Sequence, residues 1–155
     1  MNILITGVSG FLGSRIAEEV KANVSAIGRN IIPDFRDRFY IKDISCDSDY
    51  SDCLLDQNVV IHCAARAHIM NEEVAEPVTE YRQVNVDGTL NLAQQSADAG
   101  VKRFIYISSI KVNGESTSGS VPFTEKELAK PLDPYGVSKY EAEEGLKKIA
   151  EKTGM

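Results

Sequence analysis

At 155 residues, with 43% apolar and 26% charged side chains, the chain has material for one soluble domain with a buried core. A formal charge of −6 leaves no basic stripe to neutralise phosphates, which excludes a non-specific nucleic-acid binder. Its apolar runs are too short to span a bilayer, the N-terminus reads directly as a strand, and Cys46, Cys53 and Cys63 lack the spacing of a disulfide framework or a zinc site. No metal is therefore expected, and a reducing cytoplasm fits best.

Residues 1–6 (MNILIT) form a short apolar run closed by glycine, the pattern of a strand buried on both faces. Helical periodicity follows from Gly10 to Ala22 through Phe11, Leu12, Ile16, Ala17 and Val20. A second strand is expected at 24–27 and a weaker third at 38–41. The stretch between them, with Pro33 and several charges, reads as loop. Asp47 or Ser48 can cap a short helix running to about Asp56, and 58–63 is a fourth strand. A long helix is expected from about Pro77 to Gly100, then a fifth strand over 101–107. Residues 113–134 read as a loop over an active-site mouth. Asp133 as cap and Pro134 as first residue open the last helix, which runs to Lys152 and stops at Gly154. Strands alternating with helices predict an α/β fold with a parallel sheet covered on both faces.

Between the first strand and first helix lies Thr6-Gly-Val-Ser-Gly-Phe-Leu-Gly13, a G-x-x-G-x-x-G. Gly7 permits the tight turn, Gly10 allows backbone close to a pyrophosphate, and Gly13 allows the helix to pack on the strand. Free N–H groups at the start of the helix favour the phosphate charge. An apolar strand before and an amphipathic helix after favour dinucleotide binding over a plain strand-to-helix turn. An NAD site usually ends its second strand in Asp or Glu, whereas this chain reads Ala26-Ile-Gly-Arg-Asn30. Arg29 suits a ribose carrying a 2′-phosphate, so the expected cofactor is NAD or NADP with a lean to NADP; the alternative is an NAD ribose held by Asn30.

Tyr135 and Lys139 stand four residues apart, about one helical turn, so they leave the same helix face. A nearby ammonium favours phenolate and makes tyrosine usable as a base. With the N-terminal glycine turn and a serine at the end of the fifth strand, the chain resembles the extended short-chain dehydrogenase/reductases, the branch with UDP-glucose 4-epimerases and related nucleotide-sugar enzymes. The matching stretches are Thr6–Gly13, Asp43-Ile44, His62-Cys-Ala-Ala65, Asn85-Val-Asp-Gly-Thr-Leu90, Ile107-Ser-Ser-Ile110 and Tyr135-Gly-Val-Ser-Lys139, in family order along the chain.

The resemblance implies a Rossmann-type doubly wound parallel sheet, here residues 1–155 of a longer protein, without the sheet's last strands and the C-terminal substrate domain. It implies Ser109, Tyr135 and Lys139 as the catalytic set, Lys139 also binding the nicotinamide ribose. It implies cofactor contacts from Gly7, Ser9, Gly10, Phe11, Leu12 and Gly13, from Asp43 and Ile44 near the adenine, and from Cys63, Ala64, Ala65 and Arg66 along phosphates and ribose. Ser108 joins these, and Asn85 hydrogen-bonds backbone near the site or a bridging water. For Ser109 taken alone, a strand-end capping hydroxyl is the plainer reading. His62 reads as a satisfied core histidine, and His68 is given no role.

The function implied is a nucleotide-sugar 4-epimerase acting on a UDP-sugar, with homodimerisation through the helices at about 77–99 and 134–152. An NADP-dependent 4-ketosugar reductase and a non-catalytic NAD(P)-sensing protein are the alternatives. The dehydratases of the family follow the active-site serine or threonine with Asp-Glu; here Ser109 is followed by Ile110-Lys-Val-Asn-Gly114, which argues against dehydration. Asn113 also replaces the usual epimerase tyrosine, which gives some weight to the reductase.

Overall fold

In the computed structural model, which describes residues 1–67, 77–117, 122–124 and 129–155, five parallel strands lie in the order β3-β2-β1-β4-β5. They are β1 (Asn2–Thr6), β2 (Asn23–Gly28), β3 (Phe39–Ile41), β4 (Val59–His62) and β5 (Arg103–Tyr106). Alternate side chains of one strand feed two cores, because successive residues point to opposite faces. Ile3 and Ile5 of β1 join Val24, Ala26 and Ile61 beneath α1 (Phe11–Glu19). Leu4 joins Ile27 and Val60 with Cys53 and Leu54 of α2 (Ser51–Leu54) and Leu92 of α4 (Thr89–Asp98). The expected doubly wound architecture is the one observed.

Two expectations about elements need correction. Residues 33–38 are a 3₁₀ turn rather than loop, because Ile32, Phe35 and Phe39 supply apolar contacts to the α1-side core. The long helix is α3 (Pro77–Arg82), a π turn (Gln83–Gly88) and then α4. Within that π turn, a Cβ on Gly88 would lie 2.8 Å from the Ile44 carbonyl carbon.

The last helix, α5 (Pro134–Thr153), begins as its sequence predicts. Asp133 caps it by accepting from the Gly136 N–H at 3.1 Å, Pro134 takes the first turn, and Gly154 ends it at φ 77°. A Cβ on Gly136 would sit 2.8 Å from the Lys111 carbonyl oxygen. The bare glycine therefore lets the first turn of α5 close onto a 3₁₀ turn (Ile110–Val112) that follows β5. Among the described residues, no helix is long and apolar enough to cross a membrane.

Candidate active site

The chain passes from β3 on one side of β1 to β4 on the other, so a crevice opens at the carboxyl ends of β1 and β4. A groove of about 560 Å³ occupies it. Gly7, Ser9 and Gly10 line it from the glycine turn, Arg29 and Asn30 from the end of β2, Asp43 and Ile44 from the segment after β3, and Cys63, Ala64, Ala65 and Arg66 from the end of β4. Eleven of the expected cofactor contacts thus share one surface. The groove fits a dinucleotide. Gly7 stands at φ 74°, and a Cβ there would lie 2.7 Å from the Ala64 N, so two bare backbones face each other where a pyrophosphate needs close approach.

Other expected contacts stand elsewhere. Gly13 is buried against the glycine turn, where its Cβ would overlap the Gly7 carbonyl oxygen at 2.2 Å. Phe11 is 96% exposed and Leu12 is also exposed, and neither lines the groove. Ser108 is a clearer correction. Its hydroxyl donates to Glu143 of α5 and lines a second hollow with Phe104, Tyr106 and Met155, away from the cofactor groove. Alternation along an extended backbone sends two consecutive serines to opposite sides, and Ser109 takes the site side.

Asn85, lifted inward by the π turn, is buried and works through backbone. Its Oδ1 accepts from the Arg66 N–H at 2.8 Å, and its Nδ2 donates to the Arg66 carbonyl and the Ser138 Oγ, each at 3.0 Å. The Arg66 guanidinium pairs with Glu80 of α3. Asp43 is fixed through its carbonyl, which accepts from Ser48 Oγ at 2.7 Å and Tyr50 Oη at 2.9 Å.

Ser109 caps the turn at 110–112, accepting from the Lys111 N–H at 3.3 Å, and its side chain also hydrogen-bonds Tyr135. The capping reading of that serine is the one the Lys111 contact shows. Tyr135 is half-buried and packs edge-on against Tyr81, ring centroids 6.0 Å apart. Burial holds the Tyr135 phenol above its ordinary pKa, and the Ser109 hydrogen bond pulls the other way.

Lys139, one turn beyond Tyr135 on α5, directs its ammonium to the end of β5. Its Nζ donates to the Ile107 carbonyl at 2.6 Å and sits 4.0 Å from the centroid of the Tyr106 ring. Lys139 is 2% exposed, and burial pulls its pKa down to about 8 against the opposing charges of Glu143 and Cys63.

His62 is the satisfied core histidine expected. Its Nδ1 meets Thr6 Oγ1 at 2.7 Å and its Nε2 meets Thr89 Oγ1 at 2.9 Å. The Ala64 N–H donates to the same Thr6 Oγ1 at 3.1 Å. Burial, with the Lys139 charge second, pushes its pKa down to about 3. His68 lies outside the described residues. No cluster able to hold a metal occurs among the described residues.

Sequence reading missed Tyr81, Tyr106, Ser138 and Glu143. Each acts across the fold, and only the i+4 spacing of Glu143 from Lys139 carried a local signal.

Residues 3–155 match the family described as the NAD dependent epimerase/dehydratase family. UDP-glucose 4-epimerase of Vibrio cholerae is 44% identical over 159 residues, covering 99% of this chain and 48% of that protein. The solved structure of MoeE5 in complex with UDP-glucose and NAD superposes with a TM-score of 0.82 at 31% identity, covering 97% of this chain and 49% of that one. UDP-glucose 4-epimerase from Thermotoga maritima with UDP-glucose gives a TM-score of 0.82 at 27% identity, covering 100% and 53%. The chain thus spans about half the length of the relatives it matches. MoeE5 was solved with NAD, and the lean to NADP drawn from Arg29 gains no support.

Proposed function

Because this chain belongs to the NAD dependent epimerase/dehydratase family, we propose that it provides the cofactor groove and proton-transfer side chains of a UDP-sugar 4-epimerase. The observation that carries the reading is the Ser109–Tyr135 hydroxyl pair. It is built where β5 ends and α5 begins, with Lys139 one turn further along α5.

NAD is the proposed cofactor. Gly7, Gly10 and the Ala64–Ala65 backbone would hold its pyrophosphate, Asp43 and Ile44 its adenine end, and Lys139 the ribose next to the nicotinamide. When bound, the nicotinamide supplies the hydride acceptor and donor.

The chain's own residues handle the proton. Tyr135 takes the proton of the sugar 4-hydroxyl and later returns it to the opposite configuration, while Ser109 orients that hydroxyl and the phenol. Because burial keeps the phenol protonated, positive charge is needed near it for the base form, and the Lys139 ammonium is the fixed cation of this helix face. Dehydration is not favoured. The 110–112 turn offers no carboxylate beside Ser109, and the Lys111 amine there pairs with Glu115.

The test is NMR of the full-length protein with UDP-glucose and NAD. Interconversion with a C4 epimer and no net change of cofactor redox state supports the proposal. Stoichiometric oxidation of NADH or NADPH when a UDP-4-ketosugar replaces UDP-glucose would assign a reductase instead, and no sugar conversion in either mixture with intact NAD binding would contradict both.

A further inference from the structure

Lys139 is the only lysine, arginine, aspartate or glutamate that is buried among the described residues, so something must compensate its charge. An ammonium has three N–H donors. One goes to the Ile107 carbonyl at 2.6 Å. Another faces the Tyr106 ring, whose centroid lies 4.0 Å from Nζ, within the range of a cation–π contact. That ring is itself held from β4, stacking on His62 with centroids 5.9 Å apart and planes 19° from parallel, while Thr6 and Thr89 pin the imidazole. Glu143, one turn beyond Lys139 on α5, is drawn toward β5 by the Ser108 hydroxyl.

We propose that Tyr106 is a positioning residue for Lys139: the face of its ring, with the Ile107 carbonyl and a Glu143 carboxylate held by Ser108, keeps the ammonium charged and leaves its remaining donor for the cofactor ribose. The role for Lys139 rests on the function proposed above; the cradle itself does not. The Tyr106 hydroxyl is buried with no hydrogen-bond partner, so the phenol oxygen contributes nothing to this cradle and the ring is the working part. The charged and titratable groups facing Lys139 are Glu143 on its own helix, Cys63 and His62 from the β4 side, and Tyr106 from β5.

The test is NMR of cofactor-free protein labelled with ¹³Cε-lysine, with the Lys139 signal assigned from its loss in Lys139→Met. In the wild type, the Lys139 Hε protons are expected well upfield of the other lysines, because they lie against an aromatic face. A Lys139 signal at the ordinary lysine position would overturn the proposal without any further variant. Tyr106→Phe keeps the ring, and the Lys139 titration midpoint should stay in place.

Tyr106→Leu keeps the burial but removes the ring, and should lower the midpoint by about one pH unit, the size of a desolvated cation–π contact. Glu143→Gln and Ser108→Ala should each lower it in the same direction. An unchanged midpoint in folded Tyr106→Leu overturns the proposal. NAD affinity, measured by calorimetry on the same samples, should fall in Tyr106→Leu and be retained in Tyr106→Phe. If the wild type shows the upfield Lys139 signal but binds no NAD, the cradle stands and the proposed function fails.

Discussion

Asn85 grips Arg66 by both ends of its backbone, accepting from its N–H at 2.8 Å and donating to its carbonyl at 3.0 Å. The clamp fixes the β4-side wall of the groove to the π turn and, through Ser138, to α5. Asn85→Ala removes three hydrogen bonds, two to the Arg66 backbone and one to buried Ser138, and should cost about 2–3 kcal/mol in chemical denaturation. Its NAD affinity should drop several-fold by calorimetry. Asn85→Asp keeps the acceptor but loses the donor, and should fall between the two. Wild-type NAD affinity in a destabilised Asn85→Ala would detach the clamp from the groove.

The glycine turn makes a ranked prediction. At Gly13 an added Cβ meets the Gly7 carbonyl oxygen at 2.2 Å, whereas at Gly10 the nearest atom is 3.3 Å away. Gly13→Ala should therefore lose NAD binding and about 1–3 kcal/mol of stability through overpacking, and Gly10→Ala should be milder in both. Equal effects in calorimetry and thermal melts would contradict the packing role of Gly13.

His62 predicts a pH dependence. Its folded pKa is depressed to about 3, below the ordinary histidine value, so the native state refuses a proton that the unfolded chain accepts. Its stabilising contribution is present above about pH 6.5 and is lost as pH falls toward 3, at up to about 1.4 kcal/mol per pH unit. His62→Gln removes this titration, so the stability difference between wild type and variant should shrink from pH 7 to 4 in urea unfolding. Parallel curves would mean that the imidazole is not held neutral.

Arg29 gives the cofactor prediction. It lines the groove at the end of β2, where an acid is the usual NAD mark. Calorimetry should find NAD bound at least as tightly as NADP, with Arg29→Ala leaving NAD affinity nearly unchanged. NADP binding tenfold tighter, and losing that advantage in Arg29→Ala, would restore the reading of Arg29 as a 2′-phosphate partner.

The sheet was legible because strands buried on both faces, such as Ile3-Leu4-Ile5, are apolar without alternation, and because Gly7, Asp133, Pro134 and Gly154 mark turns through local backbone chemistry. The π turn at 83–88 was not legible. A shift from i+4 to i+5 bonding leaves no mark in the order of side chains, and tertiary packing of Gly88 on Ile44 accompanies it here.

The candidate site shows the same division. The groove residues follow from motifs at strand ends, but the target of Lys139 is the Ile107 carbonyl and the partner of Ser108 is Glu143, contacts made only once α5 docks on β5. Spacing alone placed Lys139 on the face of Tyr135 without revealing that its ammonium turns to β5.

The most direct test of the central claim replaces the Tyr135 phenol alone. Tyr135→Phe in the full-length protein should lower turnover of the UDP-sugar by on the order of 10² to 10⁴, the usual worth of a positioned proton acceptor, while NAD affinity measured on the same sample changes less than twofold. Turnover within a few-fold of wild type, with the cofactor bound as before, would show that the proton is carried by another group and would contradict the account.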